Sequence, residues 1–183
     1  HIDSTNPANK LLTKQSHYLD QIRGAADDLL VLINSILDLS KIESGNMDLY
    51  YEKIALEELI NGVAHTLQPL VDKKNNTMKV ELPSQPLELY TDLTKVRQCI
   101  INLVGNAAKF TDKGTITLRT TQRAVEGRSF TFIDVIDTGI GMTPLQLERI
   151  FQPFTQADSS TTRRFGGTGM GLTLVQNLSL IHI

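Results

Sequence analysis

RQCIINLVGNAAKFT, residues 97 to 111, is the stretch on which the reading of this chain turns. Asp92 is a good N-cap ahead of it, so the spacing predicts a helix from Leu93 to about Ala108. At about 100° per residue, Val96, Ile100, Leu103 and Ala107 share an arc of about 60°, and Asn102, Asn106 and Lys109 share the arc beside it. One face packs, and the neighbouring face offers two amides and an ammonium. An amide oxygen can complete the octahedral shell of Mg²⁺ when a ligand's phosphates bring the negative charge, and an ammonium can approach phosphate oxygens as a point charge. A solvated helix edge is the plainer reading of the same three residues.

Outward from this helix, Gly114 to Thr121 and Phe130 to Ile136 read as strands joined by the turn-prone Glu126-Gly127. Upstream, Leu56 to Leu70 reads as a helix, with strands expected at Met78 to Leu82 and around Leu87 to Tyr90. Downstream come a short helix from Pro144 to Phe151 and a loop from Gln152 to Gly171. Hairpin-like strands mixed with separate helices predict an α+β layer rather than a doubly wound parallel sheet. At the other end, Leu19, Ile22, Ala26, Leu29, Ile33, Ile36 and Leu37 recur at helical spacing between Gln15 and Glu43, with Gly45-Asn46 as the stop. So long a helix with so narrow a seam fits a bundle or coiled coil, with a long helix lying on its own domain as the alternative.

The composition is that of an ordinary soluble sequence: 183 residues, 40% hydrophobic, 21% charged, net charge -2. The charge balance gives no reason to expect a nucleic-acid stripe or a cationic membrane surface. No stretch approaches the roughly 20 apolar residues of a membrane span. The single cysteine, Cys99, makes neither an internal disulfide nor a cysteine zinc cluster, in keeping with a reducing, cytoplasmic setting.

Three further places carry chemistry. Asp137-Thr138-Gly139-Ile140-Gly141-Met142 ends a strand; Asp137 can accept from an exocyclic amine, and Gly139 and Gly141 let a ring approach the backbone, although Asp-x-Gly is also a common turn. Gly166-Gly167-Thr168-Gly169-Met170-Gly171 opens an apolar helix near Leu172 and reads as a phosphate cradle or as a flexible connection. It matches neither the P-loop nor the dinucleotide-binding glycine pattern. Phe151-Gln152-Pro153-Phe154 precedes a polar stretch from which Arg163 and Arg164 can reach a terminal phosphate; the two aromatics either anchor a mobile loop or plug the core.

In order and spacing these places together resemble the sensor histidine kinases. Arg97 to Thr111 is similar to that family's N box, Asp137 to Met142 to its G1 box, FQPF at 151–154 to its F box, and GGTGMGL at 166–172 to its G2 box. Ile36 to Gly45 (ILDLSKIESG) also resembles the junction between the dimerisation helices and the ATP-binding domain, and the flavour of the motifs is that of hybrid kinases that carry receiver domains. The resemblance covers roughly Leu19 to Gln176. It implies a two-layer α/β sandwich of the Bergerat type, with residues 1–46 a remnant of the dimerisation domain and 47–177 the ATP-binding domain. It also implies that Asn106 is the Mg²⁺ ligand, with Asn102 assisting, and that Lys109 contacts phosphates. Asp137 would read the adenine amine, with Gly139 and Gly141 shaping the pocket. Phe151 and Phe154 would position a lid freed by Gly167, Gly169 and Gly171, with Thr168 and Leu172 in the same ATP-binding stretch. A homodimer through Leu19–Glu43, a response regulator or receiver domain as partner, and a parent anchored in the inner membrane complete the implied picture.

Two departures from the family pattern are visible. None of His1, His17, His65 and His182 sits in a His-Glu-x-Arg-Thr-Pro-like box. Beyond Gly171 the family continues with a full helix and a hairpin that complete the sheet, and the expectation is that these are missing here; separately, residues 178–183 (LSLIHI) read as a cloning or read-through scar and are set aside from fold reasoning. The expectation is a chain that alone binds nucleotide poorly and does not phosphorylate itself. Readings kept beside the kinase are a kinase-inactive nucleotide-sensing or dimerisation module and an ATPase of the same fold.

Overall fold

The computed structural model describes residues 7–153, 155 and 169–181. Among them the order is α1 (Pro7–Glu43), β1 (Glu52–Ala55), α2 (Leu56–Asp72), β2 (Thr77–Glu81), β3 (Glu88–Thr91), α3 (Leu93–Phe110), β4 (Thr115–Val125), β5 (Arg128–Asp137), α4 (Pro144–Leu147) and α5 (Gly171–Ile181). The strands form a two-stranded antiparallel ribbon, β1–β3, and a three-stranded mixed sheet in the order β2-β4-β5, in which β2 runs parallel to β4 and β5 antiparallel to it. α2 and α3 form the second layer, as the α+β sandwich requires.

Local chemistry accounts for most of these elements. Leu56, Leu59, Ile60, Val63, Leu67 and Val71 of α2 are buried at three- and four-residue spacing, and in β4 every second residue from Ile116 to Thr120 is buried. Their shared core takes in Ile54 from β1 and Ile100, Val104, Ala107 and Ala108 from α3. The buried stripe of α3 is thus turned from the expected one, because Val104 and Ala108 join it while Val96 and Leu103 remain half-buried. The β4–β5 hairpin closes on Glu126 and Gly127, with φ of 51° and 77°, the left-handed pair that a type I′ turn needs. α1 ends at Gly45 in the left-handed region, where the Gly45 N–H donates to Ile42 O at 3.0 Å and the Asn46 N–H to Lys41 O at 2.9 Å.

α1 starts at Pro7, earlier than its apolar periodicity begins. Leu19, Ile22 and Leu29 on it are more than half exposed, whereas its C-terminal part meets α3 and α5. There Asp38 accepts from Lys95 Nζ at 3.0 Å and from Gln98 Nε2 at 3.2 Å, which ties α1 to the start of α3. Met170, Leu174 and Leu178 are buried where α5 packs on α3, so the segment set aside on sequence grounds enters the packing at its first residue. None of the described helices is long and apolar enough to cross a membrane.

Asp92 fixes where α3 begins. Its side chain accepts from the N–H of Lys95 at 3.0 Å and from that of Tyr50 at 3.0 Å, joining the helix cap to the strand-like entry of β1. Burial alone raises its pKa, but the N–H groups of Tyr50, Lys95 and Thr94 and the Lys95 charge together hold it below the ordinary aspartate value. A depressed carboxyl contributes stability above its unfolded pKa and loses it as the pH falls through the folded one. Asp92→Ala is therefore expected to cost about 1–2 kcal/mol at neutral pH. In acid titration the wild type should lose this increment and the variant should not; equal unfolding midpoints at neutral pH would contradict the assignment.

Candidate functional site

The site forms where the C-terminal half of α3 meets the turn after β5 and the start of α5. Asn102, Asn106 and Lys109 occupy successive turns of α3 and are all half-buried. Asn102 faces the beginning of α5, since a Cβ placed on Gly171 would lie 3.5 Å from Asn102 Cγ. Burial, reinforced by the neighbouring Lys74 ammonium, lowers the pKa of Lys109. Its Nζ sits 5.0 Å from the centroid of the Phe110 ring, a cation–π distance, and Lys74 Nζ donates to the Lys109 carbonyl.

Across from the helix end, Asp137 is exposed, and its Oδ1 accepts from the Gly139 N–H at 2.8 Å. The two glycines of this turn are required for different reasons. A Cβ on Gly139 would lie 2.5 Å from the Phe110 carbonyl oxygen and 2.9 Å from Thr111 Oγ1, so that position is sterically closed. Gly141 has open space around it but a φ of +67°, so there the requirement is conformational. The Ile140 N–H donates to the same Phe110 carbonyl at 3.3 Å, completing the seam between α3 and the turn.

The structure thus sets Gly171 against Asn102, and Asp137 and Gly139 against the end of the helix that carries Asn106 and Lys109. Gly169 has a φ of +70° just ahead of α5, and Leu172 is half-buried in its first turn. Phe151 stands apart: it follows α4 in a turn and is exposed, so it does not plug the core. Phe154, Arg163, Gly167 and Thr168 lie outside the described residues. Burial favours the neutral thiol of Cys99 on α3 and pushes its pKa up to about 11, against a smaller opposing effect of Lys95.

The sequence reading missed the residues that hold this seam. Thr111 is fully buried beside Asp137, and Gly114 is closed to a Cβ by Thr138 Oγ1 and by Thr111 Cγ2 at 2.6 Å. Thr138 Oγ1 accepts from the Thr115 N–H at 2.9 Å, pinning the start of β4 to the turn after β5. Thr111 stood inside the stretch that decided the fold, but a hydroxyl directly after a helix reads as ordinary capping.

Among the described residues there is no group of three or more His, Cys, Asp or Glu side chains able to hold a metal ion. An anionic ligand could bring the neutralising charge for a cation beside Asn102 and Asn106. Two amide oxygens on one helix face, next to a lysine, fit Mg²⁺ arriving with phosphates.

With this geometry in place, the chain belongs to the family of histidine kinase-, DNA gyrase B- and HSP90-like ATPases, whose model matches residues 91–182. Within that family it corresponds to the ATP-binding catalytic region of sensor histidine kinases. It is 34% identical over 168 residues to the autoinducer 2 sensor kinase/phosphatase LuxQ of Vibrio harveyi, covering 90% of this chain and 20% of that one. It is 38% identical over 172 residues to the sensor protein GacS of Pseudomonas syringae pv. syringae, covering 93% of this chain and 19% of that one. The structure of full-length ShkA in complex with AMPPNP matches at a TM-score of 0.75 and 31% identity, over 91% of this chain and 34% of that one. The chain thus spans about one fifth of the length of these two curated relatives.

Gly139→Ala tests the seam. The added methyl meets a backbone carbonyl that cannot rotate away, so a destabilisation of about 1–3 kcal/mol is expected, together with loss of nucleotide binding. Calorimetric unfolding and a nucleotide titration read both effects. An alanine variant with wild-type melting and affinity would show that the close approach is unimportant.

Proposed function

We propose that this chain is the part of its parent that holds MgATP while the γ-phosphoryl is transferred to a histidine, for relay to an aspartate of a response regulator or receiver domain. The observation that carries this is the placement of Asn102, Asn106 and Lys109 on one face of α3, with Asp137 held against the end of the same helix by the Gly139–Phe110 approach. Asp137 accepts the adenine amine and so favours adenine over guanine, which presents a carbonyl there. Lys109 meets the phosphates, and Asn106, with Asn102 assisting, ligates the metal. Mg²⁺, when bound, neutralises phosphate charge; the side chains supply position and charge rather than covalent chemistry.

None of the four histidines stands in the family's acceptor box, so the accepting imidazole is supplied by another segment. The uncovered stripe of Leu19, Ile22, Leu29 and Leu37 on α1 supports a homodimer through that helix, the arrangement in which an acceptor helix and an ATP domain come together. The catalytic region would work on the cytoplasmic side, with nucleic acid playing no part.

The full-length parent incubated with MgATP should yield acid-labile phosphohistidine, and Asn106→Ala should lower its formation by about two orders of magnitude or more. Phosphate released to water without phosphohistidine would contradict the kinase reading.

A second expectation follows from Lys109. Its pKa is depressed in the free chain, mainly because burial penalises the ammonium, and phosphates beside it favour the charged form again. Nucleotide binding on the alkaline side should therefore take up protons, and affinity should fall as the pH rises through the depressed value. Calorimetric titrations in buffers of different ionisation heat measure this uptake. The same uptake in a Lys109→Met variant would place its origin elsewhere.

A further inference from the structure

Asn76 stands between α2 and β2 with its side chain buried, and both ends of its amide are used. Nδ2 donates to the Thr111 carbonyl at 3.0 Å, and Oδ1 accepts the Gly114 N–H at 2.9 Å. Those partners are the two ends of the short loop that leaves α3 and enters β4. The loop is held elsewhere too: Lys113, at a left-handed φ of 51°, donates its N–H to Lys74 O at 3.0 Å, and the Thr77 N–H donates to Gly114 O at 2.8 Å. Only the Asn76 amide, among these contacts, grips the Thr111 carbonyl.

Thr111 is 0% exposed, and its Oγ1 lies 3.5 Å from Asp137 Oδ1, the outer limit of a hydrogen bond. The same Oδ1 already accepts from the Gly139 N–H. The Gly139 N–H holds that oxygen at 2.8 Å and the Thr111 hydroxyl stands beside it at 3.5 Å, so the two groups together bias the torsion of the carboxylate. A carboxylate that is otherwise exposed on a strand end would rotate freely and present no defined acceptor.

We propose that Asn76 is a positioning residue for base recognition. By clamping the loop, it holds the Thr111 hydroxyl against Asp137 and so fixes the direction of the carboxylate that reads the exocyclic amine of adenine. The inference rests on the reading of Asp137 given above and adds to it the group that aims it. Asn76 touches no ligand itself; it acts through Thr111.

The test is the ratio of affinities for ATP and for purine riboside triphosphate, which lacks the amine, measured on the 183-residue chain by a magnetic-resonance titration able to read millimolar binding. A purely structural role lowers both affinities together, whereas a positioning role moves the ratio. Thr111→Val, which keeps the shape and removes the hydroxyl, should reduce the preference for ATP by about three- to tenfold. Thr111→Ser should retain it. Asn76→Ala should reduce it to a similar extent, and the double variant should lose little more, since the two act in series. If Asn76→Ala does not fold, Asn76→Ser, which keeps a neutral polar group there but is too short to span both partners, should still lower the ratio.

An unchanged ratio in foldable Asn76 variants, with Asp137→Asn still abolishing the preference, would overturn the inference and leave the reading of Asp137 intact. A wild-type chain with no preference for ATP, or a preference untouched by Asp137→Asn, would overturn that reading and the inference with it.

Discussion

The backbone of Gly139 passes so close to the carbonyl of Phe110 that no side chain fits between them, and the rest of the site depends on that approach. Phe110 is the last residue of α3, and Gly139 lies two residues beyond the end of β5. Fastening one to the other brings a helix that carries amides and an ammonium up to a strand end that carries a carboxylate. In the function proposed above neither element alone recognises a nucleotide: the helix would offer contacts for phosphates, the strand end an acceptor for a base amine. Their spacing, set by a backbone contact with no side chain between, makes them one site.

α3 packs against α2, α5, β4 and β5 and is tied to α1 as well. Asp92 caps its start and at the same time holds the Tyr50 N–H, while Asp38 on α1 grips Lys95 and Gln98 within its first two turns. Its middle packs into the core with α2 and β4 through Ile100, Val104, Ala107 and Ala108. Its end carries Lys109, whose ammonium is poised between burial, Lys74 and the Phe110 ring. A displacement of α1 would thus be felt at the first turn of the helix that carries the site at its other end.

What could be read from the sequence was whatever is encoded locally. The Asp92 cap, the apolar period of α2 and the Glu126-Gly127 turn each announce themselves within a few residues, and each is where it was expected, whereas the buried stripe of α3 is turned from the expected one. β1 was missed because four residues, EKIA, with one buried side chain, carry too little alternation to be seen. The parallel pairing of β2 with β4 is a long-range choice that no turn signals. The same holds at the site: Asn106, Lys109 and Asp137 belong to recognisable motifs, whereas Asn76 meets partners 35 and 38 residues away and sits in an unremarkable polar turn.

The central claim is that the end of α3 and the turn after β5 bind the two ends of one nucleotide. A crystal structure of the chain with a non-hydrolysable ATP analogue and Mg²⁺ tests this most directly. The account predicts the adenine amine within hydrogen-bonding distance of the Asp137 carboxylate, and the metal and phosphates beside Asn106 and Lys109. A nucleotide bound elsewhere, or one whose base lies away from Asp137 while its phosphates occupy the helix face, would contradict it.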